Sequence, residues 1–171
     1  MKAVLISIQP KWCELIASGK KTIEVRKTKP KLETPFKVYI YCTKERRKTD
    51  FITKSERFGY LTGHEGSFYN RAKEYDANGK VIGEFVCEKV LESFLNNNDG
   101  WFIEKGCLTQ KEIDKYQGDK SILYGWHISN LVIYDKPKNL SEFEGLRKTK
   151  FGYQPIKLAR PPQSWCYVER K

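Results

Sequence analysis

The stretch AVLISIQPKWCELIASGKKTIEVR, Ala3 to Arg26, decides the fold, because it sets a strand, a helix and a second strand in immediate succession. AVLISI, from Ala3 to Ile8, is short, apolar and rich in β-branched residues, the pattern of a strand buried on both faces. Pro10 ends that run and suits the first turn of a helix. Trp12, Leu15 and Ile16 then fall at helical spacing, and Gly19 stands where a helix closes on a left-handed residue. Beyond it Thr22, Glu24 and Arg26 alternate with Ile23 and Val25, which sends polar and apolar side chains to opposite faces of an extended strand.

Outward from this start, FKVYIYCT from Phe36 to Thr43 reads as a further strand with Val38, Ile40 and Cys42 on one face. Between Lys44 and Lys80 the apolar periodicity gives way to charges, to Gly59, Gly63 and Gly66, and to an Asn78-Gly79 turn signal; an insertion or long loop is expected over 43–80. VIGEFVCEKVLESF predicts one strand from Val81 to about Phe94. Thr109 followed by Glu112 is the sequence mark of a capping box, so LTQKEIDKY opens a helix. SILYGWHISNLVIYD predicts a pair of strands or one long bent strand, stopped by Lys136-Pro137. The C-terminal segment 147–171 is expected to pack back on the rest. Many short strands beside two clear helices indicate an α+β protein built on a closed or nearly closed β-barrel.

The length of 171 residues suits a single domain, 1–171, and 39% hydrophobic residues suffice for a packed core. Thirty-two Lys and Arg against 21 Asp and Glu leave a net charge of +11, which attracts polyanions, nucleic acid first among them. A basic but merely solvated surface is the plainer alternative. The cysteines Cys13, Cys42, Cys87, Cys107 and Cys166 are odd in number and scattered, with no close pair to hold zinc beside His64 or His127; neither metal nor cofactor is expected. No leader pattern and no membrane-length apolar run stand in the chain, so the expected setting is the cytoplasm with reduced thiols and no membrane partner. The oligomeric state is not readable.

The densest chemical signal is the octet from Gly19 to Arg26, where Glu24 and Arg26 share a strand face and Lys21 stands at the turn before it. Two cations around one carboxylate can grip an anionic or amide-bearing ligand while Glu24 accepts its N–H groups. The competing reading is an ion-pair ladder on an exposed strand, which contributes little.

The octet resembles the G-x-K-x-x-E-x-R signature of ASCH domains, through Gly19, Lys21, Glu24 and Arg26, and SIQPKWCELIASG resembles that family's opening strand and helix. The resemblance implies a small PUA-like β-barrel with two or three flanking helices, a cleft under the motif, and binding of RNA or of a nucleoside or nucleotide. It also implies a second activity, since some ASCH-like proteins are amidohydrolases that deacetylate N(4)-acetylcytidine with a Lys, a Thr and a Glu. Lys21 falls on that lysine and Glu104 on that glutamate, while Glu24 stands where those enzymes carry threonine. Carboxylates around Lys21 favour its ammonium form, which leans toward binding.

Stacking of a base on an aromatic ring contributes ~1–3 kcal/mol. Trp12, Trp126, Tyr124 and Trp165 are candidates for it, with ordinary core the alternative and the favoured one for Tyr124. His127 reads as a structural histidine. The basic segments Lys44 to Arg57 and Arg147 to Arg160 interleave Phe51, Phe58, Phe151 and Tyr153 with cations, as a strand-tracking surface does. The leading expectation is a binding module for RNA or a modified nucleoside, in which Lys11, Lys21 and Arg26 supply cations and Glu24 selects a base edge. The alternatives are the amidohydrolase and a protein-interaction module.

Overall fold

The computed structural model describes residues 1–44, 77–94 and 100–171. Its elements run β1 (Lys2–Ile8), α1 (Pro10–Ala17), β2 (Ile23–Arg26), β3 (Phe36–Cys42), β4 (Lys80–Cys87), β5 (Val90–Phe94), α2 (Gly100–Gly106), α3 (Gln110–Gln117), β6 (Ile122–His127) and β7 (Ser129–Lys138). A 3-10 turn (Leu140–Glu142) then leads to β8 (Glu144–Thr149), β9 (Gly152–Lys157) and β10 (Trp165–Glu169).

β1 is buried from Ala3 to Ile8, as its unbroken apolar run requires. The period of two sorts its side chains: Val4, Ile6 and Ile8 enter one core with Val38, Ile40 and Cys42, while Ala3 and Leu5 enter another with Tyr39 and Tyr41. Each large aliphatic side chain buried there contributes about 1.5–3 kcal/mol. β1 lies parallel to β3 and antiparallel to β10, inside a seven-stranded sheet of order β7-β4-β3-β1-β10-β8-β9. A second sheet of three strands has the order β2-β6-β5.

Three expectations are corrected. Among the described residues neither sheet closes into a barrel: β7 and β9 are the edges of one, β2 and β5 of the other. The segment 81–94 is two strands in different sheets, β4 and β5, because the pairing breaks at Glu88-Lys89, where the Lys89 carbonyl accepts from the His127 N–H at 3.0 Å. SILYGWHISNLVIYD forms the expected pair of strands, β6 and β7, which part between the two sheets at Ile128, whose N–H donates to the Thr22 carbonyl at 2.9 Å. Pro137 does not stop β7 but lies within it, which an edge strand tolerates. The insertion expected over 43–80 lies for the most part outside the described residues.

The capping box on α3 forms: Thr109 Oγ1 accepts from the Glu112 N–H at 3.2 Å, and the Glu112 carboxylate accepts from the Thr109 N–H at 2.9 Å. That carboxyl is held down to about 2, by the Thr109 backbone N–H first and then by Lys11. On the three-stranded sheet, Ile23, Val25 and Leu123 pack against Phe102 of α2 and Ile113 of α3. Gly125 permits this contact, since a Cβ there would lie 2.8 Å from Ile23 Cγ2 and 2.9 Å from Phe102 Cε2. With one face of β2 and β6 committed to helices, their other face turns toward the seven-stranded sheet. None of the described helices is long and apolar enough to cross a membrane.

Candidate ligand-binding site

α1 ends at Ala17, and Gly19 adopts the left-handed conformation at φ +75° that lets the chain reverse into β2. The reversal sets Lys21 just ahead of the strand, with its N–H donating to the Leu15 carbonyl at 2.9 Å. Lys21 Nζ donates to the Gly106 carbonyl at the end of α2 at 2.7 Å and lies 3.5 Å from Glu24 Oε2. The other carboxylate oxygen, Glu24 Oε1, is 2.9 Å from Arg26 Nη2, which also donates to the Ser7 carbonyl at 2.6 Å. Arg26 Nη1 reaches Ser164 Oγ at 3.4 Å. These three charged residues are 3%, 5% and 8% exposed, so the exposed ion-pair ladder is excluded.

Cross-strand register completes the site. Glu24 pairs with Trp126 and Arg26 with Tyr124, so all four side chains share a face. Trp126 is fully buried, in edge-to-face contact with Phe36 and Trp165 at 5.8 and 5.9 Å between centroids. Trp12 lies at the Lys21 side, its ring centre 5.2 Å from Lys21 Nζ and 4.3 Å from Lys11 Nζ. Tyr116 of α3 stands where Arg26 and Glu24 both act on its phenol; burial pushes that phenol up, ahead of either charge.

Buried polar atoms are nearly always hydrogen-bonded, so exceptions are informative. Among the described residues four buried side-chain atoms have no hydrogen-bond partner: Glu24 Oε2, Arg26 Nε, Trp126 Nε1 and His127 Nδ1. Three of the four belong to this one strand face. They comprise one acceptor and two donors, and the ionised groups around them sum to one positive charge.

The sequence-derived candidates therefore divide. Lys21, Glu24, Arg26, Trp12 and Trp126 meet at the β2–β6 face, whereas Gly19 is exposed at the turn that leads into it. Lys11 is exposed and pairs with Glu112 at 3.0 Å. Glu104 is exposed on α2, and among the described residues no hydrogen bond or ion pair joins it to Lys21. Trp165 Nε1 donates to Thr28 Oγ1 at 2.9 Å. Phe51 and Phe58 lie outside the described residues. Sequence reasoning missed Ser7, Gly106 and Ser164, which act through neutral oxygens that no charge pattern advertises, and Tyr116. No group of three His, Cys, Asp or Glu side chains able to hold a metal occurs among the described residues.

The family model described as the ASCH domain matches residues 6–162. Among solved structures, the chain is similar to the crystal structure of ASCH from Zymomonas mobilis, at 18% identity and a TM-score of 0.56 over 98% of this chain and 88% of that one. Two single-substitution variants of that protein match at 17% identity and TM-score 0.56; one covers 99% of this chain and 92% of that chain, the other 98% and 89%. No curated protein matches the sequence.

Proposed function

Because the chain belongs to the ASCH domain family, which is PUA-like and associated with RNA binding, we propose that the β2–β6 face is the binding site for a base of RNA or for a modified nucleoside. The carrying observation is the set of open valences at Glu24 Oε2, Arg26 Nε and Trp126 Nε1. A nucleobase edge that presents an N–H beside a carbonyl or ring nitrogen supplies their complements: Glu24 accepts, and the guanidinium and indole donate. Lys21, fixed by the Gly106 carbonyl, keeps the Glu24 carboxylate in place. The surplus positive charge favours a ligand that carries phosphate.

Deacetylation of N(4)-acetylcytidine is less well supported, because Glu104 is exposed and, among the described residues, has no hydrogen bond or ion pair with Lys21. The carboxylate at Lys21 is Glu24, which already serves two cations. The test is incubation with N(4)-acetylcytidine, following cytidine release by chromatography and binding by calorimetry, for wild type and Lys21→Ala. The expected result is binding without turnover, weakened about tenfold or more in the variant, as loss of a charge-assisted contact implies. Sustained turnover abolished in Lys21→Ala would replace the binding reading with the amidohydrolase. Absence of binding to both nucleoside and RNA would refute the site.

A further inference from the structure

The aromatic contacts do not end at the site. Trp126 meets Trp165 at 5.9 Å, Trp165 meets Tyr167 at 5.4 Å, and Tyr167 meets Tyr153 at 5.5 Å, every pair edge-to-face. The row runs from the three-stranded sheet across β10 to the edge strand β9. Alternation places Trp165 and Tyr167 on one face of β10, and the pairing of Lys148 with Tyr153 puts both of those on the same side of the β8–β9 hairpin. Burial relaxes along the row, from the fully buried Trp126 to the half-buried Trp165, Tyr167 and Tyr153. The polar ends of the middle rings are tied down, Trp165 Nε1 to Thr28 and the Tyr167 hydroxyl to the Lys31 N–H at 2.8 Å, which leaves the rings as fixed apolar surfaces.

Cations accompany the row. Lys2 Nζ stands 4.0 Å from the centre of the Tyr153 ring and 5.9 Å from that of Tyr167. The hairpin 144–157 carries Arg147, Lys148, Lys150 and Lys157 against Glu144 alone. Glu169, paired in register with Lys2, adds a carboxylate to this face. At the hairpin tip Phe151 is 80% exposed. A basic surface with successive aromatic rings, continuous with the open polar valences at Glu24, Arg26 and Trp126, fits a polyanion that carries a flat ring on each unit.

We infer that the ligand is a single strand of RNA rather than a free nucleoside, and that nucleotides next to the base held at Glu24 run along Trp165, Tyr167 and Tyr153 toward the β8–β9 hairpin, their phosphates beside Lys2 and Lys148. This rests on the reading of the β2–β6 face as a base site. It makes Tyr153 and Lys148 determinants of strand length, remote from the base itself.

The experiment compares cytidine monophosphate with an unstructured RNA of about six nucleotides, by calorimetry at low salt, for wild type, Tyr153→Ala, Tyr153→Phe and Lys148→Ala. The wild type is expected to bind the oligomer at least about tenfold more tightly than the mononucleotide. Tyr153→Ala removes most of that gain, Tyr153→Phe keeps it, and Lys148→Ala lowers the dependence of log affinity on log salt by about one. The mononucleotide binds all four proteins alike. An oligomer bound no better than the mononucleotide, or a gain that survives Tyr153→Ala, would overturn the track and leave the base site standing. Failure of wild type to bind either probe would remove the base site and the track together.

Discussion

Two carboxylates in this molecule each sit between strong partners, and they end differently. Glu84 on β4 receives Lys37 Nζ at 2.6 Å on one oxygen and the Tyr134 hydroxyl at 2.6 Å on the other, so its valences close within the protein. Glu24 on β2 is more deeply buried, yet Oε2 has only Lys21 at 3.5 Å and no hydrogen bond among the described residues. A network built for stability satisfies itself, whereas one built for a ligand keeps directions open at the cost of burying them. Both arise from the same local device, a charged residue on a strand with cations one register step away. Charge pattern alone therefore does not tell them apart; the bonding inventory does.

The comparison is broken most directly by removing each carboxylate. Glu24→Ala leaves Lys21 and Arg26 buried without a counter-ion and should lower unfolding free energy in denaturant by about 3–5 kcal/mol. Glu84→Ala, at a position where water replaces the lost partner, should cost roughly 1 kcal/mol. Equal losses would mean that the Glu24 cluster is no more strained than its counterpart. A sharper cut keeps the charge: Arg26→Lys retains a cation but loses the planar fork shared among Ser7, Ser164 and Glu24, and is expected to weaken ligand binding about tenfold. Lys37→Arg should leave binding unchanged.

The smallest effect concerns acid. Burial pushes the Glu84 carboxyl up, but hydrogen bonds from Lys37 and Tyr134 outweigh it, so its folded value lies below the ordinary 4.5. A depressed carboxyl stabilises the fold above its unfolded pKa, and that contribution fades as pH falls below about 4.5 through the folded value. Thermal melts of Glu84→Gln should accordingly show a slightly shallower loss of Tm between neutral and acid pH than wild type. An identical acid limb would indicate that Glu84 is not held by these bonds.

The stretch from Ala3 to Arg26 was legible because its signals are local: the buried apolar run, the Pro10 start, the Gly19 reversal and the alternation after it all act within a few residues. The Thr109–Glu112 box was legible for the same reason. The division at Glu88-Lys89 was not, because two charged residues only briefly interrupt an apolar, β-branched run and it is pairing with β6 that separates β5 from β4. α2, Gly100–Gly106, spans only two turns, too few for its apolar spacing to announce it. At the site, the motif residues were visible, but the depth of Trp126 and the outward place of Glu104 depend on tertiary packing. Seven strands joined in an order unlike that of the sequence are the reason an open sheet was mistaken for a barrel.

The place of β10 has a consequence for the order of events as the chain is made. β1 is synthesised long before β10, the strand beginning at Trp165 that fills one of its edges. Until then its unpaired N–H and C=O groups line an apolar surface, the kind of edge that recruits other chains. The same late segment delivers Ser164, whose carbonyl accepts from the Ser7 N–H at 2.9 Å, and Trp165, which walls the buried indole of Trp126. A nascent chain that stops short of it therefore has neither a finished sheet nor a walled β2–β6 face, and the base site proposed above would be complete only in protein whose synthesis has passed that point.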